Sequence, residues 1–397
     1  MEFYIARHPV FDKGRNIFGY KLHYCRQLSD HFYAGYREPE DAETRYRGLC
    51  FDGFDESPDR PKALVDFSEE LIESLIPLFP REDTFICYVA GDNSESTVLR
   101  DCKVIGSYGY RVSYEGPLEF IPKIAAFVDI VRVDFKAQDP NMLYDVIQKH
   151  QDRIRFNAYQ IETWDDYKKA LAIGISYFQG DFFLSPPPVG PIGMKAFNAT
   201  ILRLLSELSV PEPSVRAITN IVEHDLNITY RLLRLVNSAY IAPNFKVKTI
   251  SQAVTILGLQ ELNQFVSALM VQEMRRSENL ELVTRSLIRG KQLELLAIRD
   301  NIQLKGSEAF FTGIFSLLDV IFHRDQNTLL ADLPLTDEVK DALMGGGVLG
   351  SMLSMLKAYE KGRWEEFESV YKPDLAVQET LMITYLEALE WARSIDY

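Results

Sequence analysis

The sequence predicts an α/β barrel joined to an all-α bundle, and three observations carry that expectation. Over residues 1–184, short β-rich runs alternate with stretches of helical periodicity, the pattern of βα units on a parallel sheet. From residue 196 onward, apolar residues recur at helical spacing and no strand signal appears. Between the two lies SPPPVGPIG at 185–193, whose prolines favour extended polyproline conformation and read as a stiff linker or strap. The expected boundaries are 1–188 for the barrel, 189–195 for the proline-rich linker and 196–397 for the helical domain.

The first half opens with a hairpin. Residues 1–11 and 16–24 (NIFGYKLHY) are rich in β-formers, and Asp12-Lys13-Gly14 supplies the turn. An acidic helix is expected near 39–48. Strands follow at 62–67 (KALVDF), 84–90 (TFICYVA), 108–114 (YGYRVSY), 130–135 (IVRVDF), 153–158 (RIRFNA) and 176–184 (SYFQGDFFL), with helices at 68–79, 94–106, 117–127, 139–151 and 163–173. Units of this number and length suit a closed barrel better than an open sheet.

In the second half, 196–209 reads as an amphipathic helix. Ser214 starts another over 215–224, with Val215, Ile218, Ile221 and Val222 inward. Asp225 fits as the cap of the next helix, whose apolar face is Ile228, Leu232, Leu235 and Val236. Asn237-Ser238 sits near that helix end, where such side chains satisfy backbone groups. Thr249 with Gln252 three residues on fits a capping box. The helix they open buries Ile250, Ala253, Val254 and Leu257, and Gly258 is placed to end it. Leu262, Phe265, Val266, Leu269 and Met270 continue the pattern through 260–274, and it runs on over 280–304. Phe310, Phe311, Ile314, Leu317 and Leu318 make a broad apolar face; Thr336 begins a short helix that Gly345-Gly346-Gly347 ends; 377–393 closes the chain as a helix. The triple glycine lacks the Gly-Lys-Ser/Thr of a phosphate loop and reads as a helix break.

Composition narrows the function classes. At 397 residues and 47% hydrophobic content, the chain can bury two or three cores. A net charge of −14 and pI near 5.0, with no basic stripe, argue against nucleic acid as a partner. No apolar run reaches membrane-spanning length, so no membrane partner is expected. MEFYIARHPVF has no basic region followed by an apolar core, so no secretory signal is expected. Cys25, Cys50, Cys87 and Cys102 lack CxxC spacing and read as reduced thiols of a cytoplasmic protein. His224-Asp225 suggests metal chemistry, but this half has only His224 and His323, too few for a metal set. A helix end with Asp225 as cap is the simpler account.

Residues 1–188 resemble the EAL domain, a TIM-type barrel that hydrolyses cyclic-di-GMP. ARHPVFD, GYKLHYC, LVDFS, GYRVSYEG, DIVRVDF, AYQIETWDDY and GISYFQGDFF match its blocks in order, and Phe178-Gln179-Gly180 is the most specific. The resemblance implies two divalent metals held by acidic and amide groups at the strand ends. This sequence departs from that set. Lys21 stands where the metal-binding Glu of the signature strand belongs, and Cys25 where a substrate-binding Arg belongs. Asp66 replaces an Asn and could still donate oxygen. Cys87 or Tyr88 falls where a Glu is expected, and Glu115-Gly116 replaces an Asp pair. Arg132 replaces the catalytic Lys, and Tyr159 a later metal-binding Glu. Glu162 and Gln179 are retained. An ammonium where a dication should sit repels it as well as failing to ligate. Arg, unlike Lys, cannot lose its proton at neutral pH. His8 and His23 lie near the same strands, but their spacing matches no metal motif.

Residues 225–259, through LLRLVNSAY and TISQAVTILG, resemble the HDOD domain, a helical module related to HD phosphohydrolases whose usual role is signalling through protein contacts. Residues 307–361 resemble the tail of proteins that fuse an EAL-like domain to HDOD. Together these imply a degenerate EAL–HDOD signalling protein: no catalysis, no cofactor, no metal, and a protein partner through the HDOD domain. Cyclic-di-GMP is not expected as a ligand. The alternative is a metal-independent receptor for cyclic-di-GMP or another phosphate-bearing ligand, with Arg132 and Gln179 as the groups to grip it. Self-association stays open, since no heptad or isolated apolar patch marks it.

Overall fold

The computed structural model describes residues 5–24, 61–66, 81–185, 199–210, 212–237, 247, 249–274, 280–299, 306–322, 325–332 and 335–394. The helices expected at 39–48 and 68–79, the linker at 189–195, and Cys25, Ser238 and His323 lie outside the described residues. The chain divides into two units, Met1–Pro187 with Met355–Tyr397, and Pro188–Ser354.

In the first unit the strands are β1 (Ile5–Asp12), β2 (Ile17–Tyr24), β3 (Lys62–Asp66), β4 (Thr84–Val89), β5 (Arg111–Glu115), β6 (Ile130–Asp134), β7 (Arg155–Tyr159) and β8 (Tyr177–Gln179). They close into a barrel in chain order. β2 through β8 run parallel, while β1 is antiparallel to both β2 and β8, so the opening hairpin is present and its first strand shuts the barrel. Asp12 accepts from the backbone and side chain of Asn16 in the hairpin turn, which pins its register.

Helices α1 (Glu95–Ser107), α2 (Ile121–Ile124), α3 (Pro140–His150) and α4 (Trp164–Ala172) connect the later strands. Each long one carries its own start signal. Ser94 accepts from Thr97 N–H, Asp139 from Asn141 and Met142 N–H, and Thr163 with Asp166 completes a capping box. Alternation along each strand sends one set of side chains to these helices and the other into the barrel. Thus Val112 and Tyr114 are buried on the outer layer with Val98, Cys102 and Ile105 of α1. Val10, Leu64, Phe85, Cys87 and Ile130 fill the interior, with Phe18 and Tyr177 stacked 3.9 Å apart against them. Two expectations are corrected. The run 176–184 is a three-residue strand followed by a 3-10 turn at Asp181–Leu184, because its aromatics turn inward onto Phe11 and Trp164. The helix at 117–127 is a 3-10 turn at Leu118–Phe120 running into α2, with Pro122 near its start.

The second unit contains α5 (Ala199–Ser209), α6 (Val215–Glu223), α7 (Leu226–Val236), α8 (Ile250–Met274), α9 (Leu280–Arg299), α10 (Gly306–Phe315), α11 (Leu318–Phe322), α12 (Gln326–Asp332), α13 (Asp337–Leu343) and the start of α14 (Gly347–Tyr359). No strand occurs among its described residues. Asp225 caps α7 by accepting from Asn227 and Ile228 N–H. Asn237 bridges the end of α7 to Val247, donating to the Leu233 and Val247 carbonyls and accepting from Val247 N–H. Thr249 accepts from Gln252 N–H, and Gly258 at φ 77° breaks α8 in its middle, a conformation that favours glycine. Val215, expected inward, is exposed at the first turn of α6. Gly313 of α10 lies against Gly290 of α9, with an added Cβ only 2.4 Å from the opposing Cα, so the two helices touch backbone to backbone.

The chain returns to the first unit at Met355. The end of α14, then α15 (Trp364–Tyr371) and α16 (Leu375–Ser394), belong with the barrel. The helical domain expected over 196–397 therefore gives up its last stretch to the barrel unit. Tyr359, buried at the end of α14, meets Trp364, Phe367 and Tyr385 at 5.3–5.9 Å and gives this stretch an aromatic centre.

Candidate functional site

The C-terminal ends of the parallel strands converge on a polar barrel mouth, where catalytic groups sit in barrels of this kind. Strand pairing aligns Asp66 with Cys87, Cys87 with Ser113 and Glu115 with Arg132 across neighbouring strands. The buried Lys21 ammonium, on β2, is ion-paired with Asp66 at the end of β3. The Arg132 guanidinium, on β6, donates to Glu115 Oε2 at 2.8 Å and lies 5.0 Å over the Tyr159 ring. Tyr159 in turn donates its hydroxyl to Glu115 Oε1 at 2.9 Å. The Asp66 and Glu115 carboxylates are thus each held by a fixed cation.

Electrostatics follow from this packing. Burial pulls the Arg132 proton affinity down, but Cys87, Glu115, Asp66 and Tyr159 outweigh it and raise it. Burial, aided by Glu115, pushes the Tyr159 phenol up, so it stays protonated and donating. Burial likewise raises the Cys87 thiol, which stays neutral rather than acting as a thiolate ligand. His23 is held well below its ordinary value by burial first, then by His8, Lys21 and Arg132. On β7 and β8 beside these groups, both amide atoms of Asn157 and Gln179 Oε1 are buried without a hydrogen-bond partner among the described residues.

The sequence-derived residues divide accordingly. Lys21, Asp66, Cys87, Glu115, Arg132 and Tyr159 come together, and Gln179 lies buried on the adjoining β8. Of the pair Cys87 or Tyr88, Cys87 faces the mouth; Tyr88 turns outward to donate to Asp101 Oδ2 at 2.9 Å, with its phenol raised to about 12 by burial and by that carboxylate. At Gly116 a Cβ would stand 2.6 Å from both Ala90 Cβ and the Tyr114 hydroxyl, so packing leaves no room for a second acid. Glu162 stays apart from the cluster, half-exposed at the rim, paired with Lys136 and with Arg363 at 3.9 Å. His224 is a helix end, its Nδ1 2.6 Å from the Asn220 carbonyl. Sequence reasoning undervalued His8 and His23. Their spacing matches no metal motif, yet β1–β2 pairing places His8 opposite Lys21 and brings the His8 and His23 rings to 4.4 Å. Hairpin register was the signal that could have found them.

The comparisons agree with this architecture. Residues 194–314 match the HDOD domain. The chain is 27% identical over 410 residues to Uncharacterized protein YuxH of Bacillus subtilis (strain 168), covering 100% of this chain and 99% of that protein. It is 25% identical over 406 residues to cyclic di-GMP phosphodiesterase CdgJ of Vibrio cholerae, covering 99% and 93%. Solved structures similar to it include a standalone EAL protein from Vibrio cholerae O395 in its c-di-GMP-bound form, at 16% identity and TM-score 0.32 over 45% of this chain and 90% of that one. The FimX EAL domain from Pseudomonas aeruginosa bound to c-di-GMP is another, at 14% and 0.32 over 46% and 89%. The chain is a β/α barrel protein carrying a helical HDOD domain. An eight-stranded barrel precedes that domain, so the chain has the two-domain EAL–HDOD architecture.

A divalent metal pair of the EAL type does not fit this donor set. Such ions need several free carboxylate or amide oxygens. Here Asp66 and Glu115 are each engaged by a buried cation, Gly116 has no room for a second acid, a phenol stands at 159, and the oxygens left unpartnered, Gln179 Oε1 and Asn157 Oδ1, are neutral amides with no free carboxylate beside them. Among the described residues, no three His, Cys, Asp or Glu side chains are grouped to hold an ion. No described helix is long and apolar enough to cross a membrane.

Proposed function

We propose that this chain is a non-catalytic signal-transduction protein of the cytoplasm. It acts through protein contacts of its HDOD domain, and its barrel does not hydrolyse cyclic-di-GMP. One observation carries the reading: both carboxylates at the centre of the mouth are already neutralised, Asp66 by Lys21 and Glu115 by Arg132. A metal entering there would have to displace a cation from a buried ion pair and leave it without a partner, which is strongly unfavourable. The relative CdgJ is named a cyclic di-GMP phosphodiesterase, and the reading departs from that activity on these side chains rather than on the fold. The free, buried thiols of Cys87 and Cys102 suit a reducing compartment.

The test is hydrolysis of cyclic-di-GMP by the full chain with magnesium or manganese. The expected outcome is turnover no higher than that of a Gln179→Ala variant; turnover clearly above it sinks the proposal. For the protein contacts, α7 offers Leu226 and Tyr230, 86% and 64% exposed at positions i and i+4 on one helix face. Leu226→Glu with Tyr230→Glu in the full chain is expected to lower partner capture at least roughly tenfold while leaving the unfolding midpoint in place.

A second reading has its own support. The unpartnered Gln179 Oε1 and Asn157 amide beside Lys21 and Arg132 suit a metal-independent receptor for a phosphate-bearing ligand. Calorimetry with cyclic-di-GMP separates the two: micromolar, saturable binding favours the receptor, and no heat favours the first reading.

A further inference from the structure

Four buried side-chain atoms without a hydrogen-bond partner fall on three neighbouring strands of the barrel: Arg132 Nε on β6, Asn157 Nδ2 and Oδ1 on β7, and Gln179 Oε1 on β8. Register puts them on one face. Tyr177 packs against the interior cluster, Asn157 lies directly opposite Tyr177, and Arg132 lies directly opposite Asn157. Gln179 is two residues on from Tyr177, so alternation returns it to the same inward side. Asn157 is 0% exposed, Gln179 5% and Arg132 6%. A buried donor or acceptor left unmade loses its hydration and gains nothing in exchange. Folding alone gives no reason to gather four of them, since an apolar side chain at 157 would fill the interior without that cost.

Charge decides what can meet them. Lys21 is ion-paired with Asp66 and Arg132 with Glu115, so two cations and two carboxylates cancel. Burial keeps the Cys87 thiol and the Tyr159 phenol protonated, and burial with the neighbouring positive groups keeps His23 neutral. An anion entering here would compete with Asp66 and Glu115 for cations already engaged, and would bring uncompensated charge. A neutral group brings none. Asn157 offers a donor and an acceptor side by side, and their complement is the acceptor–donor edge of another amide. Gln179 Oε1 is satisfied by one more N–H, and the Arg132 Nε–H by one more acceptor. We propose that the barrel interior along β6, β7 and β8 binds an uncharged compound with a carboxamide or lactam edge, the chemistry of nicotinamide and of the nucleobases, read by Asn157, Gln179 and Arg132. This site rests on the receptor reading above and narrows it: the uncharged edge is what the interior grips, and any phosphate on the same ligand stays outside.

Calorimetry on the full chain with guanosine, uridine and nicotinamide tests it, with inorganic phosphate as competitor. At least one of the three is expected to bind saturably, Asn157→Leu to weaken that binding roughly tenfold or more, and inorganic phosphate not to displace it. The same variant is expected to raise the urea midpoint, because an apolar side chain of similar size replaces two unpartnered groups. A residue kept only for folding would move the midpoint the other way. Ser286→Ala removes an unpartnered buried hydroxyl from α9 and is the control, expected to leave binding unchanged. Failure of all three compounds to bind overturns the proposal. So does binding that Asn157→Leu leaves intact, displacement by inorganic phosphate, or a lowered urea midpoint. If cyclic-di-GMP binds while all three fail, the receptor reading survives and this site alone falls; if cyclic-di-GMP fails as well, both fall.

Discussion

Lys21 and Asp66 show how a buried cation can engage the acid at a neighbouring strand end while the barrel stays closed. The ammonium is buried while Asp66 is half-exposed, so the two ends of the pair are unequal. Asp66→Asn leaves a buried cation facing a neutral amide and is expected to cost about 2–3 kcal/mol in urea unfolding. Lys21→Met removes the buried charge, keeps the volume and leaves a carboxylate that water can reach, so it is expected to cost about 1 kcal/mol or less. Equal costs would show that the pair is not the organising contact. His23 makes a pH prediction. Its folded-state affinity for a proton lies well below the ordinary 6.5, through burial and then through His8, Lys21 and Arg132. Below 6.5 the unfolded chain binds a proton that the folded chain refuses, so this contribution is complete above that pH and is lost as pH falls beneath it. The urea midpoint is expected to drop between about pH 7 and pH 5, and His23→Gln to flatten part of that slope. The identities at 21, 115, 116, 132 and 159 were all readable from the sequence. That Lys21 takes Asp66 and Arg132 takes Glu115 was not, because partners on different strands are set by register.

At the level of the element, local chemistry wrote most of what is seen. Caps at Ser94, Asp139, Thr163, Ser214, Asp225, Thr249 and Thr336 each accept a backbone N–H as their position demands. Asn237 extends this across a loop. Its side chain holds Val247 from both sides, and Asn237→Ala is expected to cost about 1–3 kcal/mol by orphaning the Val247 N–H. Gly290 and Gly313 were not marked by any periodic rule, since a glycine inside a helix reads only as a weakness. Their reason is the partner helix. Gly313→Leu would drive a side chain into the α9 backbone and is expected to lower the unfolding midpoint by about 2 kcal/mol or more, whereas a helix-propensity argument alone predicts stabilisation. Thermal or urea melts of the variant decide between the two. The strand at 176–184 was misread for the complementary reason: its aromatic run has strand propensity, but Phe182 and Phe183 pack back against Phe11 and leave the sheet at Gln179.

For the molecule as a whole, the division between units does not follow the order of the chain. Residues 355–394 come after the HDOD domain and yet join the barrel, where Glu360, Gly362 and Arg363 meet His8, His23 and Glu162. Nothing in the amphipathic pattern of 377–393 names its partner face, because a helical stripe states only that something apolar covers it. The sequence by itself determined the elements, their order, the barrel and bundle classes, and which chemical groups the mouth must do without. These are matters of local propensity, periodicity and side-chain identity, each carried within a few residues. Only the tertiary structure decided which cation neutralises which acid, that Gly116 has no space for a carboxylate, and that the chain's end returns to the barrel rim. Those depend on contacts between residues up to 352 apart, and such contacts are fixed by closure of the barrel and packing of its surface rather than by any local pattern.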